Sequence, residues 1–253
     1  MVFYWVIKME NLIIKNYMWI LTKDACSYIW YNLERIAAGK REIKDFAFEC
    51  KGKNYHKSSK RNKITVRIFF QNTKDCFGET EFSGSKNIYI NLFLPAIFGS
   101  TGLNKVLNKK NVKKIISERS EENILSLIRT FSHELVHGYD DLFLNKKEIN
   151  IYDRTCSELR GKEYYSYYYN HPIEKKAHLG ELEVYLRFKR NNAVSYKDLK
   201  SRLNKMKSNP LKCNLSLYEE FISKYQKDQW LEYLKYGEKV LDILFSDDKY
   251  IKI

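Results

Sequence analysis

No stretch of this 253-residue chain is apolar for the roughly 18 to 20 residues that a bilayer crossing needs, so any membrane association is expected to be peripheral. Cysteine is scarce. Cys26, Cys50, Cys76, Cys156 and Cys213 are an odd number without C-x-x-C spacing, which argues against a disulfide framework and against a thiolate zinc knuckle. With only 3 prolines and 10 glycines there is no flexible linker, and neither an internal repeat nor a long low-complexity segment is visible. The N-terminus, M-V-F-Y-W-V-I-K-M-E-N, is apolar enough to suggest a signal peptide. Lys8, Glu10 and Lys15 interrupt it, no small-residue cleavage site follows, and it is not an Arg-rich, Ser-rich transit peptide. Without a recognisable secretory signal, an intracellular location is expected. Acidic residues are outnumbered, 31 against 45 Lys plus Arg, giving a formal charge of +14.

What is present suffices for one sizeable core: 44% of residues are hydrophobic and 15% aromatic. Ile64 to Phe70 and Asn87 to Leu94 are rich in β-branched and aromatic residues and read as strands. Asp24 to Ala38, stopped by Gly39, reads as a helix packed on the sheet, and Cys76 to Ser85, with Gly78 and Gly84, as a turn. After Arg190, periodic segments at Tyr196 to Met206, Leu215 to Tyr225 and Gln229 to Phe245 predict a helical C-terminal part. The expected class is α+β. A small mixed sheet and its helices would occupy residues 1–190, and a helical extension residues 191–253.

Histidine is also scarce, at five, and two of the five form His133-Glu134-Leu135-Val136-His137. At about 3.6 residues per turn, positions 133 and 137 share one helix face and can grip one metal ion. Glu134 lies off the ligand line, placed to take a proton from a water whose pKa zinc lowers from about 15.7 to about 7. This is a zinc-hydrolase signature. Ser120, followed by Glu121 and Glu122, reads as an N-cap with acidic residues in the first turn. The apolar spacing of Ile124, Leu125, Leu127, Ile128, Phe131, Leu135 and Val136 carries a mostly buried helix to about Gly138.

Catalytic zinc sites take three protein ligands and leave a fourth position open. The extended H-E-x-x-H-x-x-G-x-x-H pattern is absent, because Asp141 stands three residues beyond Gly138 and no histidine follows until His171, and the metzincin class is therefore not expected. Two sources of a third ligand remain. Asp153 can cap a helix bearing Cys156, Ser157, Glu158, Leu159 and Arg160, which offers Glu158. A later helix, with Pro172 at its first position, offers Glu174, His178 and Glu181 on one face.

The segments H-E-L-V-H-G-Y-D-D, residues 133 to 141, and T-C-S-E-L-R-G, residues 155 to 161, resemble the mitochondrial inner-membrane zinc metallopeptidases that mature an ATP synthase subunit and help assemble that complex. Ser208-Asn209-Pro210 with Cys213 is similar to an Asn-Pro-x-Cys turn of that family, and Val240 to Asp247 to its C-terminal segment. An early C-x-x-C is not visible, Leu244 stands where a cysteine is usual, and a closing Arg-Pro-Phe is missing. The resemblance implies a zincin-like fold, one Zn2+ ion held by His133, His137 and Glu158, and Glu134 as general base. It also implies an extended peptide paired with an edge strand at Ile88 to Leu94, an ATP synthase subunit as substrate, and a place in the intermembrane space or on the inner-membrane surface. The rings of Tyr164, Tyr165, Tyr167, Tyr168 and Tyr169 replace the small residues usual after the Glu-Leu-Arg segment, and packing is their expected role.

Charge suggests a further partner. Lys51, Lys53, Lys57, Lys60, Arg61 and Lys63 form one basic patch, and Lys105, Lys109, Lys110, Lys113 and Lys114 another. Either suits anionic lipid or nucleic acid, or is simply a solvated surface. The rival to a peptidase is a non-catalytic assembly factor or basic binding protein that keeps the zincin fold.

Overall fold

The computed structural model describes residues 12–50, 63–74, 76–83, 87–99, 102–139, 151–152, 154–156, 158–213 and 215–246. The N-terminal apolar stretch, most of the first basic patch, Asp141, Asp153, Ser157 and Asp247 lie outside the described residues. The chain is α+β, with a small four-stranded sheet and a mostly helical remainder. Among the described residues no helix is long and apolar enough to cross a membrane. The chain divides into two compact units, residues 16–149 and residues 1–15 with 150–253. In the second unit a helix runs from Pro172 to Asn191, through position 190.

The first unit begins with α1 (Asn16–Ala37), eight residues longer at its start than the expected helix. It ends where expected. Gly39 at φ +74° closes a Schellman turn, with Gly39 N–H donating to Ile36 and Lys40 N–H to Arg35. Strands β1 (Phe46–Cys50), β2 (Lys63–Phe69), β3 (Gly78–Ser83) and β4 (Asn87–Phe93) follow. They lie in the order β1-β2-β4-β3, with β2 and β4 parallel and the outer pairs antiparallel. Ile64, Val66, Ile68, Ile88, Ile90 and Leu92 alternate along β2 and β4 and are all buried, the period-two pattern of a sheet face turned to the core.

Two strand expectations need correction. β4 is central, because β2 and β3 flank it, and Gly78 to Ser83 is not a turn but the edge strand β3. The chemistry agrees. β4 reads N-I-Y-I-N-L-F and is buried along its second half, as a strand enclosed on both sides should be. β3 reads G-E-T-E-F-S, and its glutamates suit an exposed edge.

After the short α2 (Leu94–Ile97), α3 (Lys109–Glu118) starts from a reciprocal capping box between Asn108 and Asn111 and packs Val112 and Ile115 inward. Helix α4 (Glu121–Tyr139) follows, packed on α1, β3 and β4. Ser120 is its cap, accepting from Asn123 N–H at 3.2 Å. Gly138 permits the close approach to the sheet, since a Cβ there would lie 3.1 Å from Ile88 Cγ2.

The second unit is helical: α5 (Gly161–Asn170), α6 (Pro172–Asn191), α7 (Tyr196–Ser208), α8 (Leu217–Tyr225) and α9 (Lys227–Leu244). A single turn of 3-10 helix, Pro210–Lys212, joins α7 to α8. Pro172 occupies the first turn of α6, where its missing N–H costs nothing. A buried polar cluster fixes α6 to the segment before α1. Glu183 accepts from Arg187 at 2.9 Å, from Ile14 N–H at 3.1 Å and from the Tyr236 hydroxyl at 2.9 Å, and Arg187 donates to Ile14 O at 2.9 Å.

Candidate functional site

In the first unit, His133, Glu134 and His137 occupy one turn of α4, in the stretch from Phe131 to Gly138 that is buried on every side. The two imidazoles stand edge to face with centroids 4.6 Å apart, as an i, i+4 pair on one face should. Glu134 is held from β3. The Thr80 hydroxyl lies 2.9 Å from Glu134 Oε2 and 2.8 Å from the Glu134 carbonyl oxygen, so one side chain fixes both the carboxylate and its backbone. Gly78 supplies the room: a Cβ there would fall 2.9 Å from Glu134 Cγ and 3.1 Å from Oε1. One residue further along β3, Glu79 accepts a 2.9 Å hydrogen bond from Asn91 of β4, which ties the strand beneath the carboxylate to its neighbour.

In the second unit, Glu174, His178 and Glu181 lie at i, i+4 and i+7 on α6 and share one face. Glu174 is buried and accepts a 3.0 Å hydrogen bond from the Tyr152 hydroxyl. Burial, then the Glu174 carboxylate, holds the Tyr152 hydroxyl well above the usual tyrosine range, so at neutral pH it remains a donor. His178 Nδ1 and Glu181 Oε1 share a hydrogen bond of 3.0 Å. The His178 ring stacks on Tyr218, centroids 3.9 Å apart and planes 14° apart, and burial pushes the Tyr218 hydroxyl up to about 12.

Glu158 is not among these buried donors. Its side chain is 62% exposed and pairs with Arg154 at 3.0 Å. The reason is helical phase. The described residues between 151 and 158 are helical, and Tyr152 faces inward. A residue six positions on is rotated about 240° from it, onto the face that Arg154 shares. Such an exposed i, i+4 pair is worth about 0.3 to 0.5 kcal/mol.

Thr80, Gly78 and Tyr152 are the residues that sequence reasoning missed. The alternation in Gly78-Glu79-Thr80-Glu81-Phe82 was the available strand signal, obscured by its glycine and its charges. Of the tyrosines of α5, Tyr169 is buried against Tyr218 and Phe221, Tyr164 stacks on Tyr168, and Tyr165, 49% exposed, stacks on Tyr169.

In comparisons with known proteins, no family model, curated protein or solved structure matches this chain.

Proposed function

We propose that the protein is a zinc-dependent peptidase in which His133, His137 and Glu174 hold one ion and Glu134 is the general base. The observation that carries this reading is the buried H-E-x-x-H turn with its glutamate gripped by Thr80. Two buried imidazoles and a buried carboxylate are the donor set of a catalytic zinc site. Among the described residues, the buried donors of the right chemistry include His133 and His137 on α4 and Glu174 and His178 on α6, whereas Glu158 is exposed. The third ligand is therefore taken from α6, not from the Glu-Leu-Arg motif.

When bound, zinc supplies Lewis acidity to a carbonyl and to water. Glu134 Oε1 takes the proton of the attacking water and delivers it to the leaving amine, while Thr80 keeps Oε2 in place. Tyr152 holds the Glu174 carboxylate in its ligand orientation, the outer-shell role that tunes such sites. β3 pairs with β4 on one side only among the described residues, and an extended peptide adding to its other side would run beside Glu134. An ATP synthase subunit as substrate and a mitochondrial location rest on the motif resemblance alone.

The test is elemental analysis of untagged protein together with peptide hydrolysis. About one zinc per chain is expected in the wild type and in Glu158→Ala, with loss in His133→Ala and Glu174→Ala. Glu134→Gln should keep the metal and lose about 10²- to 10⁴-fold in hydrolysis. Zinc retained without hydrolysis of any peptide by the wild type would favour the non-catalytic assembly factor, and zinc lost in Glu158→Ala would return the third ligand to that residue.

A further inference from the structure

The second basic patch is part of a cleft. Lys109, at the start of α3, lies against the turn that closes α1, with its Nζ 3.4 Å from where a Cβ on Gly39 would be. The turn itself projects Lys40 and Arg41. Together Gly39, Lys40, Arg41, Glu42, Ile43 and Lys109 line a cavity of about 430 Å³, three cations against one carboxylate. Lys110 and Lys113 continue the positive surface along the exposed side of α3.

Aromatic rings adjoin these cations. Arg41 donates to Asn32 and lies over the Phe46 ring at 4.3 Å, and Phe46 meets Tyr28 at 6.4 Å. One turn further along α1, Tyr31 carries Arg35 over its ring at 5.8 Å. Tyr28 and Tyr31 are 44% and 54% exposed, large rings open to solvent on the helix that ends in this turn.

We propose that this cleft binds single-stranded nucleic acid, with Lys40, Arg41 and Lys109 on the phosphates and the two tyrosines as stacking platforms for bases. A cationic groove that tracks the backbone, flanked by aromatic faces, is the general means of holding a single strand without sequence preference. An anionic membrane would draw the same cations onto a flat surface, whereas this site is concave. The net charge of +14 adds long-range attraction to any polyanion. The cleft lies wholly within the first unit, and the proposal is independent of the metal.

The experiment is fluorescence anisotropy of the full chain with labelled oligo-dT and oligo-U of about 12 nucleotides, within the usual site size. Inorganic polyphosphate serves as a base-free competitor, and phosphatidylserine vesicles as the membrane probe. Lys40→Gln with Lys109→Gln should weaken oligonucleotide binding about 25-fold near 0.1 M salt and make the slope of log K against log salt shallower by about 1.4. Tyr31→Ala should weaken it about 5- to 150-fold and leave competition by polyphosphate unchanged. Glu134→Gln and Glu174→Ala should bind like the wild type. Oligonucleotide affinity within twofold of wild type in the double lysine variant would overturn the proposal. So would indifference to Tyr31→Ala, or binding to vesicles without binding to either oligonucleotide.

Discussion

Removing Glu183 should cost more stability than any single exposed ion pair can. The residue is fully buried, its partner Arg187 is 5% exposed, and the carboxylate accepts from a guanidinium, a backbone N–H and a tyrosine hydroxyl. Glu183→Ala takes the carboxylate from Arg187 and at the same time deprives Ile14 N–H and the Tyr236 hydroxyl of their acceptor. Breaking one side of a buried pair costs about 3 to 5 kcal/mol, a large share of the roughly 5 to 15 kcal/mol that holds a protein folded. In a chain of this size that is a fall in Tm of roughly 6 to 20 °C. Urea unfolding followed by circular dichroism measures it, with Glu183→Met/Arg187→Met as the control, since an apolar pair restores part of the loss. A loss below about 1 kcal/mol, the range of a surface pair, would refute the reasoning. Charge adds a second test. Burial holds Glu183 above its ordinary value even against Arg187, so the folded state binds the proton more tightly than the unfolded one. Its contribution is therefore complete at low pH and declines as pH rises through the elevated value. The stability of the wild type minus that of Glu183→Gln should fall with pH across that window. A difference that rises with pH would reverse the assignment.

Gly78→Ala should push Glu134 out of its seat. Overpacking of about 1 to 3 kcal/mol, less roughly 0.5 to 1 kcal/mol of backbone entropy regained, should lower the urea midpoint, and hydrolysis should fall while zinc content holds. Tyr152→Phe removes the donor to Glu174 and should weaken zinc binding about 10- to 100-fold, as judged by competition with a chromophoric chelator. Unchanged affinity there would mean that Glu174 is not a ligand.

Elements with their own punctuation were legible. Helix α4 has a serine cap, acids in its first turn and an unbroken apolar stripe; α6 has Pro172 at its first turn, and α1 ends at the glycine that its C-terminal turn requires. Strand order was not legible. Period-two alternation reports which face of a strand is buried and says nothing about its neighbours, so β4 could be read as a strand but not as a central one. β3 was hidden by its composition, because glycine and glutamate are both depleted in strands and here serve a close approach and an exposed edge.

The same distinction between local and non-local information divides the site. His133, Glu134 and His137 come from one turn, and their mutual geometry is fixed by the pitch of the helix, so spacing alone placed them. A proposed third donor on another helix depends on that helix's phase, and phase is set by what the helix buries. At 151–158 the buried residue is Tyr152, which turns Glu158 outward to Arg154. On α6 the inward face includes Ile173, Glu174, Ala177 and His178, so the glutamate turns in with its apolar neighbours. That apolar context was in the sequence: Ile173 and Ala177 lie within one turn of Glu174, whereas Glu158 has a charged residue two positions after it and another four before. Weighing the neighbours of each glutamate for burial, ahead of the motif that contains it, separates the two donors on physical grounds.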